Sequence, residues 1–166
     1  MNLAPAGIND ITRLVEMALK FHEESGTDIR FDTVKVGNTF SSAIRDFKNY
    51  LILTLREDTS NAVVGLLAAQ ILVPHFSNDR VAMEWLWYVE PEYRGMCSIK
   101  LLKAYLYWAF DVMKCDHATM STLDSDLADK LHKLYTKIGL SKQENTYIIG
   151  SGSRHSNSQP SERAGG

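Results

Sequence analysis

The chain reads as a single mixed α/β domain, a central mixed sheet with helices on both faces. Three patterns carry that reading: apolar residues at helical spacing near the N-terminus, a hairpin between Tyr50 and Val73 that joins a strand of two-residue period to a nearly unbroken apolar one, and a second half in which strand and helix patterns alternate. With 166 residues, 45% of them apolar, the chain can bury one substantial core and is short for two.

The elements follow in order. Asn9 or Asp10 can cap a helix whose apolar residues Ile8, Ile11, Leu14, Val15, Ala18 and Leu19 form one face and which ends near Glu24. Ser25-Gly26-Thr27-Asp28 breaks the pattern, and Asp32 to Lys48 is a weaker helical stretch interrupted around Gly37 and Asn38. From Tyr50 the period becomes two. Asp58-Thr59-Ser60-Asn61 supplies turn residues, and the nearly unbroken apolar run Ala62 to Val73 predicts a central strand. A further strand runs from Val81 to Val89 and stops before Pro91.

Ser98 to Lys114 is a helix with only a narrow polar stripe, so most of it must be buried. A short strand, His117 to Thr122, precedes a helix that Asp124 or Ser125 can cap, that buries Leu127, Leu131, Leu134, Tyr135 and Ile138, and that Gly139 stops. A small hairpin, Leu140 to Gln143 with Asn145 to Ile149, should close the fold. Beyond Gly150 the Ser/Gly-rich segment has too little to bury and reads as a flexible tail, which leaves residues 1–149 as the domain and 150–166 as the tail.

Composition narrows the function. The 18 Lys plus Arg against 20 Asp plus Glu give a net charge of −2, which argues against a general polyanion binder, and so against nucleic acid or an anionic membrane as partner. The longest apolar run falls short of the roughly 20 residues that cross a bilayer, and Met1 to Pro5 has neither a basic start nor an apolar signal core. A soluble, cytoplasmic protein is expected. Cys97 and Cys115 lack the paired spacing of a zinc site, so no metal is expected.

Chemistry concentrates at Val89-Glu90-Pro91-Glu92-Tyr93-Arg94-Gly95-Met96-Cys97-Ser98-Ile99, where a strand turns into the buried helix. The first backbone N–H groups of a helix have no intrahelical partner and attract phosphate, and Arg94 adds a fixed positive charge suited to a diphosphate. Trp87 to Gly95 followed by Lys100-Leu101-Leu102 resembles the acetyl-CoA signature of the GNAT superfamily of N-acetyltransferases. Leu134-Tyr135-Thr136-Lys137-Ile138-Gly139-Leu140 is similar to that family's second recurring feature, a helix ending in Leu-Tyr-x-Lys-x-Gly-Phe. Cys97 and Ile99 stand where the family pattern has Gly and then Gly or Ala, Ala128 stands at the place of a common Asn, and Leu140 replaces the terminal Phe. The degenerate loop within Pro-x-Tyr-Arg-Gly resembles that of members encoded by tailed bacteriophages.

The resemblance implies a twisted mixed sheet of six to seven strands, acetyl-CoA as cosubstrate, no metal, and transfer of the acetyl group to a primary amine by direct attack on the thioester. The strand Val81 to Val89 would splay from its parallel neighbour, with the backbone of Trp87, Tyr88 and Val89 along the pantetheine and the amides of Gly95, Met96, Cys97, Ser98 and Ile99, with Arg94, on the diphosphate. A strand amide would polarise the thioester carbonyl. Tyr135 is the family's general acid toward the departing thiolate, set against a plain role as a core aromatic. Glu84 is the candidate base, because flanking Met83 and Trp85 desolvate it, set against a simple ion pair with Arg80 or Arg56. A one-residue change of register would reverse its face. His75, Phe76, Phe21, Glu24 and Phe31 are weaker candidates for touching the acceptor, whereas Trp85, Trp87, Trp108, Tyr105 and Phe110 read as core.

The acceptor stays open between a small amine, an antibiotic, a protein amine and an aminoacyl-tRNA; a homodimer is the family's habit. The competing reading is a catalytically degenerate protein of this fold that acts by binding a protein partner.

Overall fold

The apolar run becomes the middle of the sheet. In the computed structural model, which describes residues 1–123 and 128–143, it forms β3 (Val63–Leu72), buried along most of its length between antiparallel β2 (Tyr50–Arg56) and β4 (Val81–Val89). A short strand that periodicity did not reveal, β1 (Asn2–Pro5), pairs with the outer side of β2. It has four residues with Pro5 at its end, and an edge strand is where a missing N–H is tolerated. On the other side β4 meets β5 (His117–Thr119) in parallel. The sheet order is thus β1-β2-β3-β4-β5.

Five strands replace the six to seven expected, among the described residues. Residues 140–143, expected as half of a closing hairpin, are irregular. The other half at 145–149, the caps at 124 and 125 and the tail all lie outside the described residues.

Helices α1 (Ile11–Ser25) and α2 (Thr33–Arg45) cover one face, burying Leu14, Met17 and Phe40 against Leu66 and Leu86. Asp10 does not cap α1. Its carboxylate instead accepts from Gly7 N in the preceding turn and from Arg56, at 2.7 and 2.6 Å. Asp32 does cap α2, accepting from Lys35 N at 2.9 Å, and α2 runs unbroken through Gly37 because that glycine lies against Val15 and Ile11 of α1, where the two helices approach.

The opposite face carries α3 (Met96–Tyr107) and α4 (Ala128–Lys137), which bury Leu101, Leu102, Tyr105 and Tyr135 against Leu55 and Leu67. The helix starts two residues earlier than Ser98 and ends in a wide turn, Trp108–Val112, closed by Met113 N to Trp108 O at 2.8 Å. That extra residue per turn turns Phe110, expected in the core, 44% outward. Gly139, at φ 95°, ends α4: the amides of Leu140 and Gly139 bond to the carbonyls of Tyr135 and Thr136 in a Schellman arrangement. No described helix is long and apolar enough to cross a membrane.

Candidate active site

The parallel pairing between β4 and β5 is brief. Val81, Ala82 and Met83 face His117, Ala118 and Thr119, and then the ladder stops. From Glu84 to Val89 no described strand lies on that side of β4, which leaves a fork with an unpaired strand edge. Tyr105, from the buried face of α3, sits where the strands part, its hydroxyl 2.8 Å from Ala82 O and 2.9 Å from Thr119 O. Having one proton, it donates to one carbonyl at a time and clamps the fork.

At the fork β4 carries a bulge. Ala68 of β3 pairs with Leu86 and Ala69 with Glu84, so Trp85 has no partner. Simple alternation fails there: Ala82 and Glu84 lie toward α3 and α4, Trp85 and Leu86 both turn toward α1 and α2, and Trp87 returns to the first face. The one-residue ambiguity in the face of Glu84 is resolved by this extra residue.

Glu84 is 5% exposed and bridges the fork, accepting from Ser121 N at 3.2 Å. Burial raises its pKa to about 7, only partly offset by that hydrogen bond. Neither basic residue considered for it is its partner: Arg80 donates to Met113 O, and Arg56 pairs with Asp10. Tyr135, from α4, donates to Ser121 O at 3.1 Å. Glu84 and Tyr135 therefore meet through the two ends of one residue's backbone. Burial, then the charge of Glu84, hold the Tyr135 phenol above its usual pKa, so it keeps its proton at neutral pH. Its ring stacks on Trp87 at 6.5 Å, and Trp87 Nε1 is buried without a hydrogen-bond partner among the described residues.

Beyond β4 the turn reaches Gly95, at φ 104° with open space where a Cβ would stand, and α3 begins. The first amides bonded back to the turn are those of Ser98 and Ile99, both to Gly95 O. The amides of Gly95, Met96 and Cys97 have no acceptor among the described residues. Met96 is exposed, and Cys97 is half-buried against the α3 core. Arg94 is already engaged. Its Nε donates to Val89 O at 2.8 Å, its Nη2 lies 2.7 and 2.8 Å from the two carboxylate oxygens of Glu24, and its guanidinium covers the Tyr88 ring. The side chain of Tyr88 faces α1, so only its backbone can serve the fork. Below it Glu90 is buried with Arg13, Lys20 and the Tyr88 hydroxyl; burial opposes its charge, but the two cations outweigh it and hold its pKa below the usual range.

A cavity of about 350 Å³ opens on the α1 side of the fork, lined by Phe21, Phe31, Val36, Trp85, Leu86 and Leu123 among others. Of the residues proposed to touch an acceptor, Phe21 and Phe31 line it, Glu24 is taken by Arg94, and Phe76 is fully exposed in its loop away from the cavity. A larger, polar concavity on the outer face of α2 shares no residue with the fork. Sequence reasoning missed the roles of Ser121, Tyr105 and Leu123. A tyrosine on an otherwise apolar helix face was a usable signal for Tyr105, since a buried phenol needs an acceptor; Ser121 acts through its backbone and left none.

No protein-family model matches the sequence, and no curated protein does. Solved structures do. A predicted acetyltransferase of Clostridium acetobutylicum, crystallised with acetyl-CoA, shares 16% identity at a TM-score of 0.71 over 93% of this chain and 98% of that one. The aminoglycoside 6'-N-acetyltransferase of Acinetobacter haemolyticus shares 18% at 0.66, over 91% and 98%. The glucosamine-6-phosphate N-acetyltransferase of Arabidopsis thaliana shares 14% at 0.69, over 90% and 97%. The fold of this chain, from β1 through the fork to α4, is the fold of these acetyltransferases.

Proposed function

We propose that the protein is an N-acetyltransferase of the GNAT type, taking acetyl from acetyl-CoA to a primary amine. The observation that carries this reading is the convergence of Glu84 and Tyr135 on Ser121 at the mouth of an opened parallel strand pair. The residues present fit the cosubstrate. An unpaired strand edge at Trp87 to Val89 suits the amides of a pantetheine, and the free amides of Gly95, Met96 and Cys97 suit a diphosphate, whereas those of Ser98 and Ile99 are turned back to Gly95 O and would have to release it to join them. Arg94, in its ion pair with Glu24, would hold the turn in shape and lend positive charge from its side. When bound, acetyl-CoA supplies an activated acyl carbon.

An alkyl ammonium has a pKa near 10.4 and must shed a proton before its lone pair can attack. A carboxylate with a pKa of about 7 is matched to receive that proton, directly or through one water. The C–N bond forms as the C–S bond breaks, and Tyr135, kept protonated by its surroundings, donates to the departing sulfur. The nitrogen sheds its second proton as the amide forms, which restores Tyr135, and the proton held by Glu84 passes to solvent. The Pro91-Glu92-Tyr93-Arg94-Gly95 context supports a place among the phage-encoded members, and the need for acetyl-CoA a cytoplasmic one. Residues 1–149 would form the catalytic domain and 150–166 a tail.

Calorimetric titration with acetyl-CoA tests the donor half, and the variant Tyr135→Phe the chemistry. The variant should bind acetyl-CoA with unchanged affinity and lose about 10²- to 10⁴-fold in turnover, the range for a general acid or base. No binding of acetyl-CoA at millimolar concentration would overturn the proposal. Full turnover in Tyr135→Phe would remove the tyrosine from it, and a function in partner binding would leave both measurements flat.

A further inference from the structure

We infer that the amine acceptor is carried on a compact apolar body, a monocyclic aromatic or branched aliphatic group. The inference rests on the acetyl-transfer reading and adds the substrate class to it.

Three features of the cavity on the α1 side lead there. Its volume, about 350 Å³, is at the small end of the roughly 300–1,000 Å³ usual for ligand sites, which suits a single ring with a short arm. Phe21, Phe31, Val36, Trp85, Leu86 and Leu123 give it aromatic and aliphatic walls. Its polar side chains are partly engaged with the loop itself: His22 Nε2 bonds Ile29 O, Ser25 Oγ donates to His22 O and accepts from Thr27 N, and Thr27 Oγ1 accepts from Ile29 N. These bonds fold the loop between α1 and α2 onto itself and leave His22 Nδ1 and the Thr27 hydroxyl proton as the cavity's few uncommitted polar groups among the described residues.

Among the described residues no carboxylate lines the cavity, and Glu24, on the same helix, is held by Arg94. The nitrogen of the acceptor need not lie in the cavity. Trp85 and Leu86 directly follow Glu84, and Leu123 lies two residues past Ser121, so the inner wall belongs to the same two segments that hold the reacting groups. The amine would reach the fork while its body stays among Phe21, Phe31 and Val36.

Release of thiol from acetyl-CoA is followed with 2-phenylethylamine, isoamylamine, glucosamine 6-phosphate, kanamycin and spermidine, and calorimetry records binding of acetyl-CoA and of each amine separately. The expected result is a KM for the two apolar amines at least ten-fold below that of the others. Val36→Trp, which fills the cavity, should raise that KM ten-fold or more while the affinity for acetyl-CoA stays level, and Phe31→Ala, on the facing wall, serves if Val36→Trp fails to fold. Equal use of all amines, or preference for kanamycin, spermidine or the sugar phosphate, overturns the inference and leaves acetyl transfer standing. Failure to bind acetyl-CoA instead overturns the function. Binding of 2-phenylethylamine without cofactor, lost in Val36→Trp, then still decides whether the cavity takes an apolar amine.

Discussion

Glu84 shows how far one side chain depends on its surroundings. An ordinary carboxylate is fully ionised at neutral pH and a poor proton acceptor; burial at 5% exposure brings this one to about 7, near the pH where a base works best. Since only the deprotonated form accepts a proton, kcat/KM should fall as pH drops through about 7 and level off above it. Glu84→Gln should flatten that profile and lose about 10²- to 10⁴-fold in rate while still binding acetyl-CoA. Steady-state kinetics from pH 5.5 to 9 would show both, and an unchanged profile in the variant would dismiss Glu84 as base. Tyr105 is the structural counterpart. Tyr105→Phe removes the shared donor of Ala82 O and Thr119 O and should lower stability by about 1–2 kcal/mol in urea unfolding. Glu84 and Tyr135 stood out in the sequence as candidates by residue type and motif context. Their meeting at Ser121 did not, since backbone groups carry no mark in a sequence.

Among elements, the strands and helices with strong periodicity were read correctly, and the failures have local causes. β1, four residues long, is too short to show a period. α2 seemed broken at Gly37 because glycine weakens helices, yet packing against Val15 and Ile11 of α1 keeps it helical. A Cβ at Gly37 would meet Val15 and Ile11 at 3.7 and 3.8 Å, ordinary contact distances. Gly37→Ala should therefore stabilise by about 0.5–1 kcal/mol through helix propensity. Gly65 on β3 behaves oppositely. There a Cβ would come within 3.0 Å of Leu55 Cβ, 3.2 Å of Val89 and 3.3 Å of Leu101, where α3 presses on the sheet. Gly65→Ala should destabilise by about 1–3 kcal/mol. Thermal unfolding of the two variants should move Tm in opposite directions. The bulge at Trp85 was the least legible feature, since inserting one residue into a ladder leaves the run of apolar residues intact.

At the scale of the whole molecule, two buried carboxylates respond oppositely to acid. Glu84 has a folded pKa above its unfolded value, so the native state holds the extra proton and stability declines as pH rises from about 4.5 to about 7, by about 3 kcal/mol in all. Glu90 has a folded pKa below its unfolded value, so its contribution with Arg13 and Lys20 is present above the unfolded pKa and is lost as pH falls through the folded one. Stability should peak on the acid side of neutrality, near pH 5, and Glu84→Gln should shift the peak upward by removing the loss above it. Denaturant midpoints across pH 3 to 8 for both proteins would show this.

The helix α1 belongs to both sides of the site: its Phe21, His22 and Ser25 line the cavity, and its Glu24 holds the Arg94 turn from which α3 departs. On the proposed function, a ligand that shifts this helix from one compartment would change affinity in the other, and thermodynamic reciprocity would require the same factor in both directions. One order of ligand arrival would then be favoured for a mechanical reason, a single rod with a hand at either end.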